Sequence, residues 1–368
     1  MASGEPFFRP EVDALLPYQP GRPIAEVERE LGLSKVVKLA SNEGPWPPFP
    51  AAREAIARSV LELNRYPDGG CYDLQTALAA RHGVAPEEVC VGAGADGCVD
   101  LLSQAALGPG DEVVCGWPSF PSYAIYAAKQ GAATRKVPLG DHRYDLDGLL
   151  AAVSPRTKIV YVCHPNNPTG TMNTRAELDA FFERVPGHVL VVVDQAYFEY
   201  VERADYPDAI AAYFLAGHRV AVLRTFSKIY GLAGLRVGYA VAPPDVCEAM
   251  AKVRRPFDVT TTALEAALAS LDDPDELEGR RVLNGRGLAE LTAILRRHGL
   301  EPAPGAVANF VYVDVGADAA AFSGRLLEHG VIVRPLAGFG AETAIRVSVG
   351  TPEELAALDA ALERAAAG

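Results

Sequence analysis

The 368 residues include 34 Lys and Arg against 47 Asp and Glu, a formal net charge of −13, with 49% hydrophobic residues and a mean hydropathy of +0.07. That balance describes a globular chain with a large core and room for two domains. Its acidity argues against nucleic acid or an anionic membrane as the main partner, so any anionic ligand needs a local cluster of donors.

The proline-broken opening, "MASGEPFFRPEVDALLPYQPG", has none of the charged-then-apolar pattern of a signal segment. Residues 1–40 read as an extended arm that packs on the smaller domain or on a partner subunit. From about residue 86 strand-like runs alternate with helix-like ones. The strand candidates are "EVCVGA" (88–93), "DEVVCG" (111–116), "TKIVYVC" (157–163) and "HVLVVVD" (188–194). The helical stretches are 96–107, 121–131 and 175–185. This alternation predicts parallel βαβ units in a mainly parallel, doubly wound α/β sheet. "RVAVLRT" (219–225) and "RVGYAVA" (236–242) add two strands, which closes a large domain spanning 41–256.

From 257 to 368 the texture becomes α+β: a long helical region (262–299), then "NFVYVDV" (309–315), "GVIVRPL" (330–336), "AIRVSVG" (344–350) and a last helix. Apolar runs such as 189–193 are too short to cross a bilayer. The six cysteines form no CxxC pair and no His/Cys cluster at metal-ligand spacing, so no metal site is expected. A reduced, cytoplasmic protein follows from that usage.

In such sheets ligands bind at the carboxyl ends of the strands. There stand "GAGAD" (92–96), "HPNNPTG" (164–170), Asp194 and "TFSK" (225–228). A lone lysine on a loop is ordinarily a surface residue, and an aspartate after a strand is ordinarily a turn or cap. Together, these residues suit pyridoxal 5′-phosphate, which needs a lysine for a Schiff base and a carboxylate against its ring nitrogen. Lys228 and Asp194 fill those roles, with Arg236 helping Lys228 to lose its proton. Asn167 and Tyr197 can donate to the phenolic oxygen. The phosphate would take the backbone N–H groups of Ala95 and Asp96 at a helix start, with Thr225, Ser227 and Arg236. Phe120 can stack on the ring, although an aromatic at that place is as often core.

The chain resembles the fold-type I pyridoxal-phosphate aminotransferases, most closely their histidinol-phosphate and aromatic branch. The resemblance runs through "LPYQPG" (16–21), "KLASNEGP" (38–45), "NRYPDGG" (64–70), "HPNNPTG", "VVVDQAYFEY", "LRTFSKIYGLAGLRVGY", "NFVYVDV", "GVIVRP" and "IRVSVG". It implies a homodimer with shared sites, in which Tyr66 reaches the cofactor phosphate of the other subunit. It also implies that Arg346 clamps the substrate's anionic group, with Arg334 and Tyr18 near the substrate's far end. The expected reaction is a ping-pong transamination between an amino donor and a keto acid, with Lys228 as proton shuttle, and histidinol phosphate with 2-oxoglutarate as the leading pair. An aromatic aminotransferase, or a lyase, decarboxylase or oxidase on the same fold, is the alternative. A non-catalytic module would be expected to lack Lys228 or Asp194. Gly44, Trp46, Ala93, Gly97, His164 and Gln195 depart from the family pattern, and His164 and Trp46 are expected near the substrate pocket.

Overall fold

The computed structural model describes residues 7–13, 15, 21–316 and 318–367. Its first elements are α1 (Pro10–Asp13), α2 (Ile24–Leu31), β1 (Val37–Lys38), α3 (Pro50–Ser59) and α4 (Tyr72–His82). Then come β2 (Val89–Gly92), α5 (Gly94–Ala106), β3 (Glu112–Trp117), α6 (Ser122–Lys129), β4 (Ala133–Pro138) and α7 (Leu146–Ala152). The alternation continues through β5 (Thr157–Cys163), α8 (Arg175–Phe182), β6 (Leu190–Asp194), β7 (Val220–Thr225), β8 (Gly238–Val241) and α9 (Pro244–Val253). The remainder is α10 (Thr261–Leu271), α11 (Pro274–Arg297), β9 (Phe310–Asp314), α12 (Ala319–Glu328), β10 (Val331–Ile332), β11 (Arg334–Pro335), β12 (Ala344–Ser348) and α13 (Pro352–Ala367).

Among the described residues the main sheet has the order β2-β8-β7-β6-β5-β3-β4. Its strands β4, β3, β5, β6 and β7 run parallel, while β8 is antiparallel to both neighbours. The near-continuous apolar runs of β5 and β6 suit strands covered on both faces, and Val160, Val162, Val192 and Val193 are all buried. A second core gathers Val37, Leu39, Leu291, Val311, Ile345 and Leu358 around the small sheet β11-β12-β9. The alanines Ala263, Ala266 and Ala267 of α10 belong to the first core.

Several elements differ from the sequence reading. The first 40 residues are not wholly extended: α2 is an amphipathic helix of about two turns, ended by Gly32 in the left-handed region at φ 65°, with Val27 buried. The helical region 262–299 is two helices, because Asp273 caps the Glu276 N–H at 3.1 Å and Pro274 opens α11. "GVIVRPL" is split, since β10 pairs with β1 and β11 pairs with β12. The strand β4 carries exposed Arg135 and Lys136 on the sheet's edge and so shows no apolar alternation.

Candidate active site

The carboxyl ends of β5, β6 and β7 open onto one cavity. Ala95, Asp96, Thr225, Ser227, Lys228 and Arg236 line it on the side of α5, with Asp194, Tyr197, Asn167 and Phe120 beside them. Arg334 and Arg346 reach the same cavity from the small sheet, where β11 and β12 set them opposite each other. Two glycines make this convergence sterically possible. Gly94 has φ 81°, and a Cβ on it would sit 2.8 Å from Arg236 Nη2; one on Gly238 would sit 2.5 Å from the Ala95 nitrogen. Arg236, itself left-handed at φ 55°, donates to Ser227 Oγ at 3.1 Å and to the Ala233 carbonyl at 3.0 Å. The first turn of α5 thus faces the cavity beside a hydroxyl and a guanidinium, a setting for an anion.

Lys228 Nζ donates to the Ser41 carbonyl at 3.3 Å. Burial lowers its pKa from 10.5 to about 7, Arg346 and then Arg236 add to the fall, and Glu43 and Asp194 oppose it. Arg236 was the cation expected from the sequence; the structure ranks burial and Arg346 ahead of it. Asp194 is pushed the other way by burial, above the usual carboxylate range, against hydrogen bonds from the Tyr123 hydroxyl (2.6 Å) and the Ala196 N–H (3.1 Å).

Asn167 accepts from Arg346 Nη1 through its side-chain oxygen, which leaves its NH2 as the group able to donate to a ligand. Arg346 is buried and also donates to the Ala40 carbonyl at 2.7 Å. Tyr197 accepts from Asn42 Nδ2 at 2.9 Å, so its own proton can go to a ligand.

Asn42 and Tyr123 are contributors that the sequence reading left without a role. Asn42 sits at φ 55°, a conformation that asparagine tolerates, and also accepts from Ser348 Oγ at 3.0 Å. A signal for it lay inside "KLASNEGP"; nothing local marked Tyr123. Tyr66 lies away from the cavity, 81% exposed, with its ring stacked on Phe257 at 4.5 Å. Tyr18 falls outside the described residues. His164 and Trp46, expected near the pocket, do not line it. The His164 ring stacks on Tyr206 at 4.7 Å and bonds the Asn173 carbonyl at 2.8 Å, because its side chain turns into the core behind the strand end. Trp46 lies near Arg280 instead, 5.9 Å from its guanidinium carbon. Gln195 is likewise buried behind the cavity and bonds Arg224 at 3.1 Å and the Pro207 carbonyl at 2.9 Å.

The aminotransferase class I and II family model matches residues 34–362. Histidinol-phosphate aminotransferase from Moorella thermoacetica is 45% identical over 347 residues, covering 94% of this chain and 89% of that one. Histidinol-phosphate aminotransferase 1 from Nitrosococcus oceani is 44% identical, covering 96% and 95%. Among solved structures, histidinol-phosphate aminotransferase from Sinorhizobium meliloti in complex with pyridoxal-5′-phosphate superposes with a TM-score of 0.89 at 32% identity, covering 99% of this chain and 98% of that one. Aspartate aminotransferase from Thermus thermophilus with maleate gives 0.84 at 28% identity, covering 98% and 99%. The match spans both cores and every strand that feeds the cavity, and on that ground the chain belongs to the class I and II aminotransferases, a pyridoxal-phosphate-dependent family of fold type I.

Proposed function

We propose that this enzyme transaminates histidinol phosphate, with 2-oxoglutarate as second substrate, in a ping-pong cycle on pyridoxal 5′-phosphate. The observation that carries this reading is the meeting of a partly buried lysine, a buried aspartate and two arginines on one cavity at the strand ends. The shared name of the relatives supports the substrate.

The cavity's donor set fits the cofactor. Ala95 and Asp96 offer backbone N–H groups, and Thr225, Ser227 and Arg236 offer side-chain donors, to a phosphate. Asp194 retains acceptor positions beyond those used by Tyr123 and Ala196, enough for a ring N–H. Asn167 and Tyr197 can donate to the phenolic oxygen, and Phe120 offers a face for the ring. When bound, pyridoxal phosphate supplies a carbonyl that condenses with amines and a ring that withdraws electrons.

The protein's own groups do the rest. Lys228 is the nucleophile, and near neutral pH a large fraction of it carries the free lone pair this needs. The same amine, when free, would serve as the base for the substrate's α-proton. Asp194, buried in the cavity wall, would accept from the ring N–H and so favour a protonated ring nitrogen. Arg346, aimed by Asn167 and Ala40, takes the substrate's anionic group, and Arg334 with Tyr18 serves its far end.

We place the site at a homodimer interface, with Tyr66 reaching the partner's cofactor phosphate. Support comes from the exposed apolar side chains around it, Leu61 at 84% and Tyr72 at 68% among them. The two cores support a division into a large unit (41–256) and a small unit (257–368) beside an arm (1–40), although α10 packs in the first core and Val37 and Leu39 of the arm in the second. Six free, buried thiols fit a reducing, cytoplasmic setting. Among the described residues no helix is long and apolar enough to cross a membrane.

Phe120 and Phe339 in the lining favour a second reading, an aromatic amino acid aminotransferase. Comparing kcat/KM for histidinol phosphate, phenylalanine and glutamate separates the two. Arg334→Ala should lower the value for histidinol phosphate about 10- to 100-fold, the worth of a charged hydrogen bond, and that for phenylalanine far less. Equal losses on both substrates would remove the phosphate from the proposal.

A further inference from the structure

The helix α6 presents two tyrosines one turn apart, and each hydroxyl ends on a carboxylate of the cavity. Tyr123 donates to Asp194 Oδ2 at 2.6 Å, and Tyr126 to Asp96 Oδ2 at 2.7 Å. A turn further, Lys129 donates to Asp100 Oδ1 at 2.8 Å. Asp96 and Asp100 are successive turns of α5, so α6 is bonded to α5 at two points and its rotation is set. Tyr123 is also fixed from its faces: its ring lies parallel to that of Tyr161 at 4.3 Å and edge-on to that of Phe120 at 5.5 Å. It is 0% exposed.

We infer that Tyr123 is a positioning residue for Asp194, occupying one carboxylate oxygen from behind so that the remaining acceptor positions serve the cavity. The inference rests on the reading that Asp194 pairs with the cofactor's ring nitrogen. The geometry has an electrostatic consequence. Burial works to protonate Asp194, and the Tyr123 hydrogen bond is the largest influence opposing it. Tyr123 itself is held well above the ordinary phenol value, first by burial and then by Asp194, so it remains a donor at any working pH. The other titratable groups that face Asp194 are Asp96 and Cys98 from α5, Cys163 and Tyr161 from β5, Tyr197 from its own loop, and Lys228. Of these, Asp96 favours protonation of Asp194 and Lys228 disfavours it, and neither donates a hydrogen bond to it.

The test is the titration of Asp194 in the full-length, cofactor-free protein, followed by the infrared C=O stretch of its protonated carboxyl. The band is assigned by its replacement in Asp194→Asn. Tyr123→Phe keeps the ring and its stack and removes only the hydroxyl. Its Asp194 midpoint should rise by roughly one to two pH units, the equivalent of a charge-assisted hydrogen bond. Replacing Tyr123 with 3-fluorotyrosine, a stronger donor, should lower the midpoint, so the inference stays testable even if Tyr123→Phe folds poorly. Tyr126→Phe, which touches Asp96, should move it by no more than a few tenths of a unit. A midpoint unchanged in both Tyr123 variants, or equal rises in Tyr123→Phe and Tyr126→Phe, would overturn the inference. A rise in Tyr123→Phe with unimpaired cofactor binding and turnover in Asp194→Asn would uphold the role of Tyr123 and overturn the ring-nitrogen reading instead.

Discussion

Lys228 should titrate near neutrality in the cofactor-free protein. Its amine falls from 10.5 to about 7, first through burial and then through Arg346. An unfolded chain holds this proton up to the ordinary lysine value, whereas the folded chain releases it near 7. Between those values the unfolded state binds more protons, so stability rises with pH across that window. Below it, the buried ammonium costs the fold roughly 5 kcal/mol; above it, the cost is gone. The same fall decides reactivity. At pH 7 an ordinary lysine is neutral in about 0.03% of molecules and Lys228 in about half, a gain of roughly a thousandfold. Competitive labelling with acetic anhydride across pH, read by mass spectrometry of the peptide carrying Lys228, measures the midpoint directly. Arg346→Gln removes the cation that most disfavours the Lys228 ammonium and should raise that midpoint. Lys228→Met should stabilise the cofactor-free fold at pH 6 and lose that advantage by pH 11, because it removes the buried charge. A wild-type midpoint near 10, or one that stays put in Arg346→Gln, refutes the reasoning.

Borohydride reduction of the pyridoxal-phosphate-loaded protein should fix the cofactor on Lys228, and Lys228→Ala should lose the yellow absorbance and nearly all turnover; wild-type turnover in that variant would sink the assignment. Asp194→Asn preserves shape but not charge, so cofactor should still bind while the half-reaction slows by about 10-fold or more, read by stopped-flow absorbance. Mixed heterodimers of Tyr66→Ala and Lys228→Ala chains should regain activity, since one of two hybrid sites is intact; no recovery in a verified heterodimer shows that each chain completes its own site. Gly340→Ala should destabilise the fold by about 2 kcal/mol or more, because Gly340 has φ 87° and a Cβ there would fall 1.9 Å from Trp117 Nε1. A thermal melt matching wild type would contradict that packing.

What the sequence determined by itself was local. The short apolar runs of β5 (Ile159–Val162) and β6 (Leu190–Val193), rich in branched side chains, suit strands buried on both faces. Asp194 and Tyr197 lie three residues apart, and Lys228 and Arg236 eight, so the strand ends that carry them keep each pair together whatever the sheet order. The meeting of those pairs was foreseeable only because parallel sheets put ligands at their carboxyl ends. The tertiary structure decided what depends on contacts between distant segments. Asn42 reaches Tyr197 across 155 residues, Tyr123 reaches Asp194 across 71, and Arg346 reaches Asn167 across 179. None of these carries a periodic signal, because the partner is chosen by sheet order and helix docking rather than by neighbours in the chain. His164 makes the same point in reverse: it follows a site strand directly, yet its ring turns into the core and onto Tyr206. Position along the chain brought it to the edge of the site, and side-chain packing took it away.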